Sequence, residues 1–180
     1  MATKQAVQTD TKTVSSQVLR AILIAQNKSD SKHHVPYTQA LREIKAGRKR
    51  SHWIWYVFPC WHTIRKTSRP RYSLKTLEEG KLYLLHPELS QRLVEITVVA
   101  GRHLDGTRQA LLRLFGYIDS SKFVEVMTFF AVAAGELKNK EQFMVFKTGL
   151  ELAKGGKLHL PTIQALCSNN PQVCSTSLYV

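Results

Sequence analysis

Five polar residues of this sequence have the side-chain types that phosphate chemistry requires: Arg48, Arg50, His52, Asp119 and Lys122. Guanidinium and ammonium groups can hold a phosphate, while an imidazole or a carboxylate within hydrogen-bond reach can transfer a proton. Structural interpretations compete with this one. Backbone groups can hold an imidazole such as that of His52, and an aspartate followed three residues later by a lysine is typical of a helix N-cap. The catalytic residues therefore stay unassigned, with His52, Asp119 and Lys122 as the candidates.

The other reactive residues form no known metal, cofactor or nucleophile motif. Ser51 and His52 are neighbours in sequence, and because adjacent side chains diverge they are not by themselves a nucleophile–base pair. The histidines and cysteines contain no Cys-x-x-Cys and no His-Glu-x-x-His. The segment from Lys154 to Lys157, with two glycines inside it, is typical of a helix end that carries cations and not of a phosphate-binding loop. We expect no metal and no cofactor. The three cysteines favour a reducing compartment with no structural disulfide.

A basic and aromatic block runs from Gly47 to Trp61 and holds all three tryptophans of the protein. Aromatic rings beside cations can stack on unpaired bases while arginines bind the phosphates. The same rings can instead supply the apolar area of a helical core. Neighbouring rings in one segment point in different directions. We therefore expect most of them to be core, with one or two, such as Trp53, lining a pocket beside Arg48 and Arg50.

Positive charge is concentrated in the first part of the chain. Residues 1–77 carry 15 lysines and arginines against 3 acids, a net charge of +12, while residues 78–180 carry 11 against 10. A charge that only served solubility would not be distributed in this way. The asymmetry favours an anion-binding surface over a merely solvated face. Its candidate residues are Lys45, Arg48, Lys49, Arg50, Trp53, Arg65, Lys66, Arg69, Arg71 and Lys75.

Apolar residues recur at helical spacing along most of the chain, and helix-capping residues separate the repeats. Only Trp53–Phe58 alternates like a strand. The pattern predicts an all-α protein, a compact single-domain bundle of about seven to eight helices over residues 16–167. A flexible basic tail, residues 1–15, would precede the domain, and a polar tail, residues 168–180, would follow it. Helices are predicted to begin near Ser16, Pro36, Thr76, Pro87, Asp105, Asp119, Asn139 and Pro161.

The string from Gly47 to Pro59, Gly-Arg-Lys-Arg-Ser-His-Trp-Ile-Trp-Tyr-Val-Phe-Pro, closely resembles the signature of the family catalogued as domain of unknown function 1810. Further similarity extends the resemblance over roughly residues 20–167. It implies a mostly helical fold and no established activity. Two stretches depart from the family pattern. A glutamine after Phe-Pro is Cys60 here, with a rewritten loop from Trp61 to Lys66, and a polar Arg-Ser-Ser is replaced by Val124-Glu125-Val126.

These observations predict a basic helical binding module that uses residues 42–75 to engage nucleic acid phosphates, with RNA or a ribonucleoprotein assembly as the partner. Two alternatives stay open. One is an enzyme that acts on a nucleotide-like or phosphorylated small molecule near His52. The other is a repurposed structural subunit of a larger complex, with protein neighbours. The longest apolar run, Trp53 to Pro59, is too short to cross a bilayer, so we expect no membrane insertion. An intracellular and cytoplasmic location is expected, with a mitochondrial one as the alternative.

Overall fold

Helices account for the regular structure of the chain. A computed structural model describes residues 17–28 and 35–175, the side chains of residues 174 and 175 excepted, and this part contains nine α-helices and no β-strand. The predicted tail 1–15, the predicted cap Ser16 and the last residues of the predicted C-terminal tail lie outside the described residues. The helices are α1 (residues 17–27), α2 (Tyr37–Lys45), α3 (Ile54–Val57), α4 (Leu77–Leu85), α5 (Pro87–Gly101), α6 (Arg108–Glu136), α7 (Lys140–Lys154), α8 (Leu160–Asn169) and α9 (Pro171–Ser175).

Side-chain caps fix several of these helix starts, as the sequence predicts. The hydroxyl of Thr76 accepts a hydrogen bond from the Glu79 backbone N–H at 3.1 Å, and the Asn139 side chain accepts one from the Gln142 N–H at 3.1 Å. Such caps satisfy backbone donors that have no partner within the helix. The all-α prediction is confirmed. The strand-like stretch Trp53–Phe58 instead contains the short helix α3.

The long helix α6 forms the centre of the fold and packs most extensively against α7, with α4 and α8 on other sides. Its second half is buried over Lys122 to Ala134. The rings of Phe129 and Phe130 meet edge to face at 5.4 Å. Phe130 also packs on Tyr83 of α4 and on Phe146 of α7. Most side chains of this stretch are apolar, as expected of a helix in a core, and the buried Lys122 and Glu125 are the charged exceptions.

A glycine kink joins what the sequence predicts as two separate helices. Gly116 has φ 78° and ψ 172°, while the residues before and after it are helical. Thr107 caps the helix at Arg108, where its hydroxyl accepts from the Ala110 N–H at 3.2 Å. The prediction that Asp119 is a helix N-cap is therefore wrong. Asp119 lies within α6, just after the kink.

Cys60 and Cys167 differ in their bonding. Cys60 is a free thiol and is buried, and burial raises its pKa. Cys167, in α8, is disulfide-bonded. The expectation of no structural disulfide is therefore wrong.

Candidate nucleic-acid interface

A single buried carboxylate shapes the loop that carries the first basic cluster. Glu43, at the end of α2, is 5% exposed. Its Oε2 accepts hydrogen bonds from the backbone N–H groups of Arg50 and Ser51, at 2.7 and 3.0 Å, and from the Trp53 indole Nε1 at 2.7 Å. Its Oε1 accepts from the Ser51 hydroxyl. Burial alone would raise the pKa of this carboxyl, but the four hydrogen bonds outweigh it and hold the pKa below its ordinary value.

Trp53 serves the core and not a ligand. Its side chain is fully buried, its indole N–H is bonded to Glu43, and its ring packs 6.3 Å from that of Phe58. No face of the ring can stack on a base, so the assignment of Trp53 to the anion-binding set is wrong. Trp61 is also core, stacked on Phe129 at 5.5 Å.

Lys49, Asp119 and Lys122 form one ion-paired cluster. The two lysine ammoniums each lie 2.7 Å from a different oxygen of the Asp119 carboxylate. Lys122 is 2% exposed, and its ammonium lies 3.4 Å from the centre of the Trp55 ring, a cation–π contact. Burial raises the pKa of Asp119, but the hydrogen bonds from Lys122 and Lys49 outweigh it, so its pKa is lowered. A carboxylate held ionised by two ammoniums is a poor proton donor, and its bond to Lys49 holds the basic loop against α6.

Arg65 is paired with a second carboxylate of α6. Its guanidinium makes two hydrogen bonds to Glu125, from Nε to Oε2 at 2.8 Å and from NH2 to Oε1, and a third to the Ser121 hydroxyl at 3.0 Å. Glu125 is 7% exposed. Arg65 and Glu125 lie 60 residues apart in the sequence. The fold brings the two side chains together as a bidentate ion pair.

The other candidate cations face solvent. Between residues 44 and 77 the sequence has no carboxylate, and the preceding one, Glu43, is buried. None of the ion pairs within the described residues involves Arg48, Arg50 or Lys66. This stretch therefore presents positive charge with no opposing charge of its own. Its exposed cations are Lys45, Arg48, Arg50, Lys66, Arg69, Arg71 and Lys75.

The two basic segments reach neighbouring sides of the same helix. The backbone N–H of Lys49 donates to the Leu114 carbonyl of α6 at 2.7 Å, and its side chain binds Asp119. Glu125, which binds Arg65, follows Asp119 by six residues. Six helical residues rise about 9 Å, with about a third of a turn between the two side-chain directions. Lys49 therefore attaches the loop that carries Arg48 and Arg50 to α6. Arg65 attaches the segment that carries Lys66 to a nearby part of the same helix.

His52, the remaining predicted site residue, stands apart from the other catalytic candidates. His52 is exposed, and no side-chain hydrogen bond within the described residues brings it to Asp119 or Lys122. No cluster of three metal-ligating side chains occurs in the part of the chain that the structure describes. Sequence reasoning missed Glu43 and Glu125 as the residues that order the site. The signal for Glu43 was its position as the single acid among the cations of residues 31–77.

The fold and the site together define an all-α protein with a basic surface fastened to its central helix. A family model with the description "Protein of unknown function (DUF1810)" matches residues 17–166, and the chain belongs to this family. It is also similar to the conserved hypothetical protein Rv1873 from Mycobacterium tuberculosis, known from a crystal structure at 1.38 Å. That comparison gives 29% identity and a TM-score of 0.70, and covers 84% of this chain and 98% of the other. No curated protein matches the chain. No helix of the described residues has the length and apolarity needed to cross a membrane.

Proposed function

We propose that this chain is a helical binding module that engages the phosphates of RNA, free or within a ribonucleoprotein assembly, through the exposed cations of residues 42–75. The observation that carries the proposal is the run of exposed lysines and arginines without any exposed carboxylate between residues 44 and 77. Phosphate contacts dominate the affinity of proteins for nucleic acids, and clustered Lys and Arg on one face are their electrostatic signature.

Ordered backbone supports the proposal as much as charge does. The Glu43 carboxylate fixes the backbone at Arg50 and Ser51, and the Leu114 carbonyl fixes it at Lys49. Arg48 and Arg50 therefore extend from a held loop and not from a mobile tail. A preorganised surface loses less conformational entropy on binding, which strengthens the complex.

Two of the candidate anion-binding cations, Lys49 and Arg65, are bound within the protein, while the others are exposed. Lys49 and Arg65 are each neutralised by a carboxylate of α6. Their role in this proposal is to fasten the two basic segments, while Arg48, Arg50 and Lys66 supply charge to the ligand. This division gives a direct choice of residues for mutation.

Salt-dependent titration of a fluorescent single-stranded RNA tests the proposal. When a protein binds phosphates, the logarithm of its binding constant falls linearly with the logarithm of the salt concentration. On a single strand, each neutralised phosphate adds about 0.7 to the steepness of this fall. The triple variant Arg48→Gln, Arg50→Gln, Lys66→Gln should bind RNA more weakly. Its salt dependence should also be less steep, by about 2, since three phosphate contacts are lost. A double-stranded DNA of equal charge, titrated in parallel, separates RNA preference from general polyanion binding.

A matched control removes three positive charges elsewhere. The variant Lys138→Gln, Lys140→Gln, Lys147→Gln changes α7 and the turn before it, and its slope should stay close to that of the unmodified protein. Equal losses in the two triple variants would show that only net charge matters. That result, or a lack of RNA binding at low salt, would refute the proposed interface.

A further inference from the structure

A second basic region lies in the other half of the chain, in a cleft that the proposed interface does not use. The cleft has a volume of about 540 Å³ and opens where α6, the end of α7 and the turn before α8 meet. Its floor is apolar and consists of the buried side chains of Leu111, Val124 and Ala153. The volume falls within the range of small-molecule sites, about 300–1,000 Å³, and such sites combine an apolar lining with a few polar groups.

The polar groups around this floor are cations and hydroxyls. Arg108, Lys154 and Lys157 line the cleft together with His159, and no carboxylate is among its lining residues. Glu125 is bound by Arg65, and the Glu151 side chain lies against the backbone at Gly156. The residues that line the cleft therefore carry three positive charges, those of Arg108, Lys154 and Lys157, and no carboxylate.

Two glycine turns hold the sides of the cleft in place. Gly155 and Gly156, with φ of 59° and 77°, end α7 in left-handed backbone that places Lys154 and Lys157 on either side of one tight turn. Opposite them, Gly106 has φ 82°, and its N–H donates to the Leu152 carbonyl of α7 at 2.6 Å. These conformations favour glycine. They fasten the start of α6, which carries Arg108, against the end of α7.

Tyr117 and His159 add recognition groups of two other kinds. Tyr117 follows the Gly116 kink, lines the cleft and is 78% exposed, so its ring is open to stacking against a flat ligand. The ring of His159 is fixed through Nδ1, 2.8 Å from the Thr162 hydroxyl. Burial lowers the pKa of His159, and this effect, together with the charges of Lys154 and Arg65, outweighs the nearby Glu125 carboxylate, which raises it. Its imidazole is therefore neutral at neutral pH and available for a hydrogen bond.

We propose that this cleft binds a phosphorylated small molecule with a flat ring, of the nucleoside diphosphate class. The phosphates would lie among Arg108, Lys154 and Lys157, and the ring would lie on the apolar floor beside Tyr117. Charge complementarity accounts for the phosphates, because guanidinium and ammonium groups form charge-assisted hydrogen bonds with them. The exposed tyrosine and the apolar floor account for the ring. The cations proposed to contact RNA do not line the cleft. The two sites adjoin through Arg65, which anchors the RNA-binding segment and donates a hydrogen bond to Ser121 of the cleft.

Calorimetric titration with ADP, inorganic pyrophosphate and adenosine tests the site. ADP should bind with a stoichiometry of one, pyrophosphate should bind more weakly, and adenosine weakest. The double variant Lys154→Gln, Lys157→Gln removes two exposed cations, and its affinity for ADP should fall about tenfold or more, as expected for the loss of charged hydrogen bonds. Tyr117→Ser should weaken ADP but leave pyrophosphate unchanged, because only the ring contact is lost.

Two controls separate this site from the RNA interface. Lys138→Gln, Lys140→Gln changes net charge equally and should keep the ADP affinity, as should the triple variant Arg48→Gln, Arg50→Gln, Lys66→Gln. Failure of ADP and pyrophosphate to bind would refute the cleft and leave the RNA proposal standing. Equal loss of ADP binding in the cleft variant and in either control would also refute it, since binding would then follow net charge alone.

Discussion

Replacement of Glu43 tests whether one carboxylate orders the basic loop. Its two oxygens accept four hydrogen bonds from Arg50, Ser51 and Trp53. A charge-assisted hydrogen bond contributes about 1.5–3 kcal/mol, against about 0.5–1.5 kcal/mol for a neutral one. Glu43→Gln keeps the shape but removes the charge. Because the four bonds share one group, their losses overlap, and we expect the free energy of unfolding to fall by about 2 kcal/mol.

Glu43→Ala should cost more, about 4 kcal/mol, because the buried Trp53 indole N–H then has no acceptor. Urea denaturation followed by circular dichroism measures both variants, with the exposed Glu151→Gln as a control expected to change stability by less than about 0.5 kcal/mol.

The pKa of Glu43 is lowered on folding, so its contribution to stability is present above pH 4.5 and is lost as the pH falls through the folded-state value. The difference between the unmodified protein and Glu43→Gln should therefore shrink in acid. A Gln variant as stable as the unmodified protein at pH 7 would refute this account of the loop.

Three further substitutions probe the core and the two ion-paired anchors. In Gly80→Ala the new Cβ would lie 2.5 Å from the Phe129 ring, so thermal unfolding should show a loss of about 1–3 kcal/mol. Glu125→Gln should lower the free energy of unfolding by about 2 kcal/mol. In the titration with fluorescent RNA it should strengthen binding, because the positive charge of Arg65 is no longer neutralised. Weaker binding would contradict the division between anchoring and contacting cations. Lys122→Met should change the free energy of unfolding by less than about 1 kcal/mol, since Asp119 keeps Lys49 as its partner. Asp119→Ala leaves the buried Lys122 ammonium without a negative partner, and it should cost about 3–5 kcal/mol in the same denaturation assay.

Local patterns in the sequence were sufficient to predict most helices. The caps Thr76 and Asn139, and the proline at position 87, mark helix starts through backbone chemistry that depends on nearby residues alone. Gly116 lies between the predicted helix starts near Asp105 and Asp119, and it does interrupt helical backbone. The sequence pattern could not show that the chain resumes as a helix at once, because packing of the following residues decides that outcome.

The candidate site was harder to predict because its contacts join distant parts of the chain. The signs of the charges were visible in the sequence, but Lys49 meets Asp119 across 70 residues and Arg65 meets Glu125 across 60. These partners depend on how loops lie against α6. For the same reason, Trp53 could be a stacking platform or a core residue until its burial was known. The cleft at Lys154 and Lys157 was missed because its lining residues come from separate turns.

Nuclear magnetic resonance of the labelled protein during titration with single-stranded RNA locates the bound surface residue by residue. At low salt, the amide signals that shift should cluster at residues 48–50 and 65–75, and the shifts should diminish as salt is added. Signals of the control positions 138–147 should stay in place. Shifts confined to other surfaces, or none at any RNA concentration, would contradict RNA recognition by this basic face.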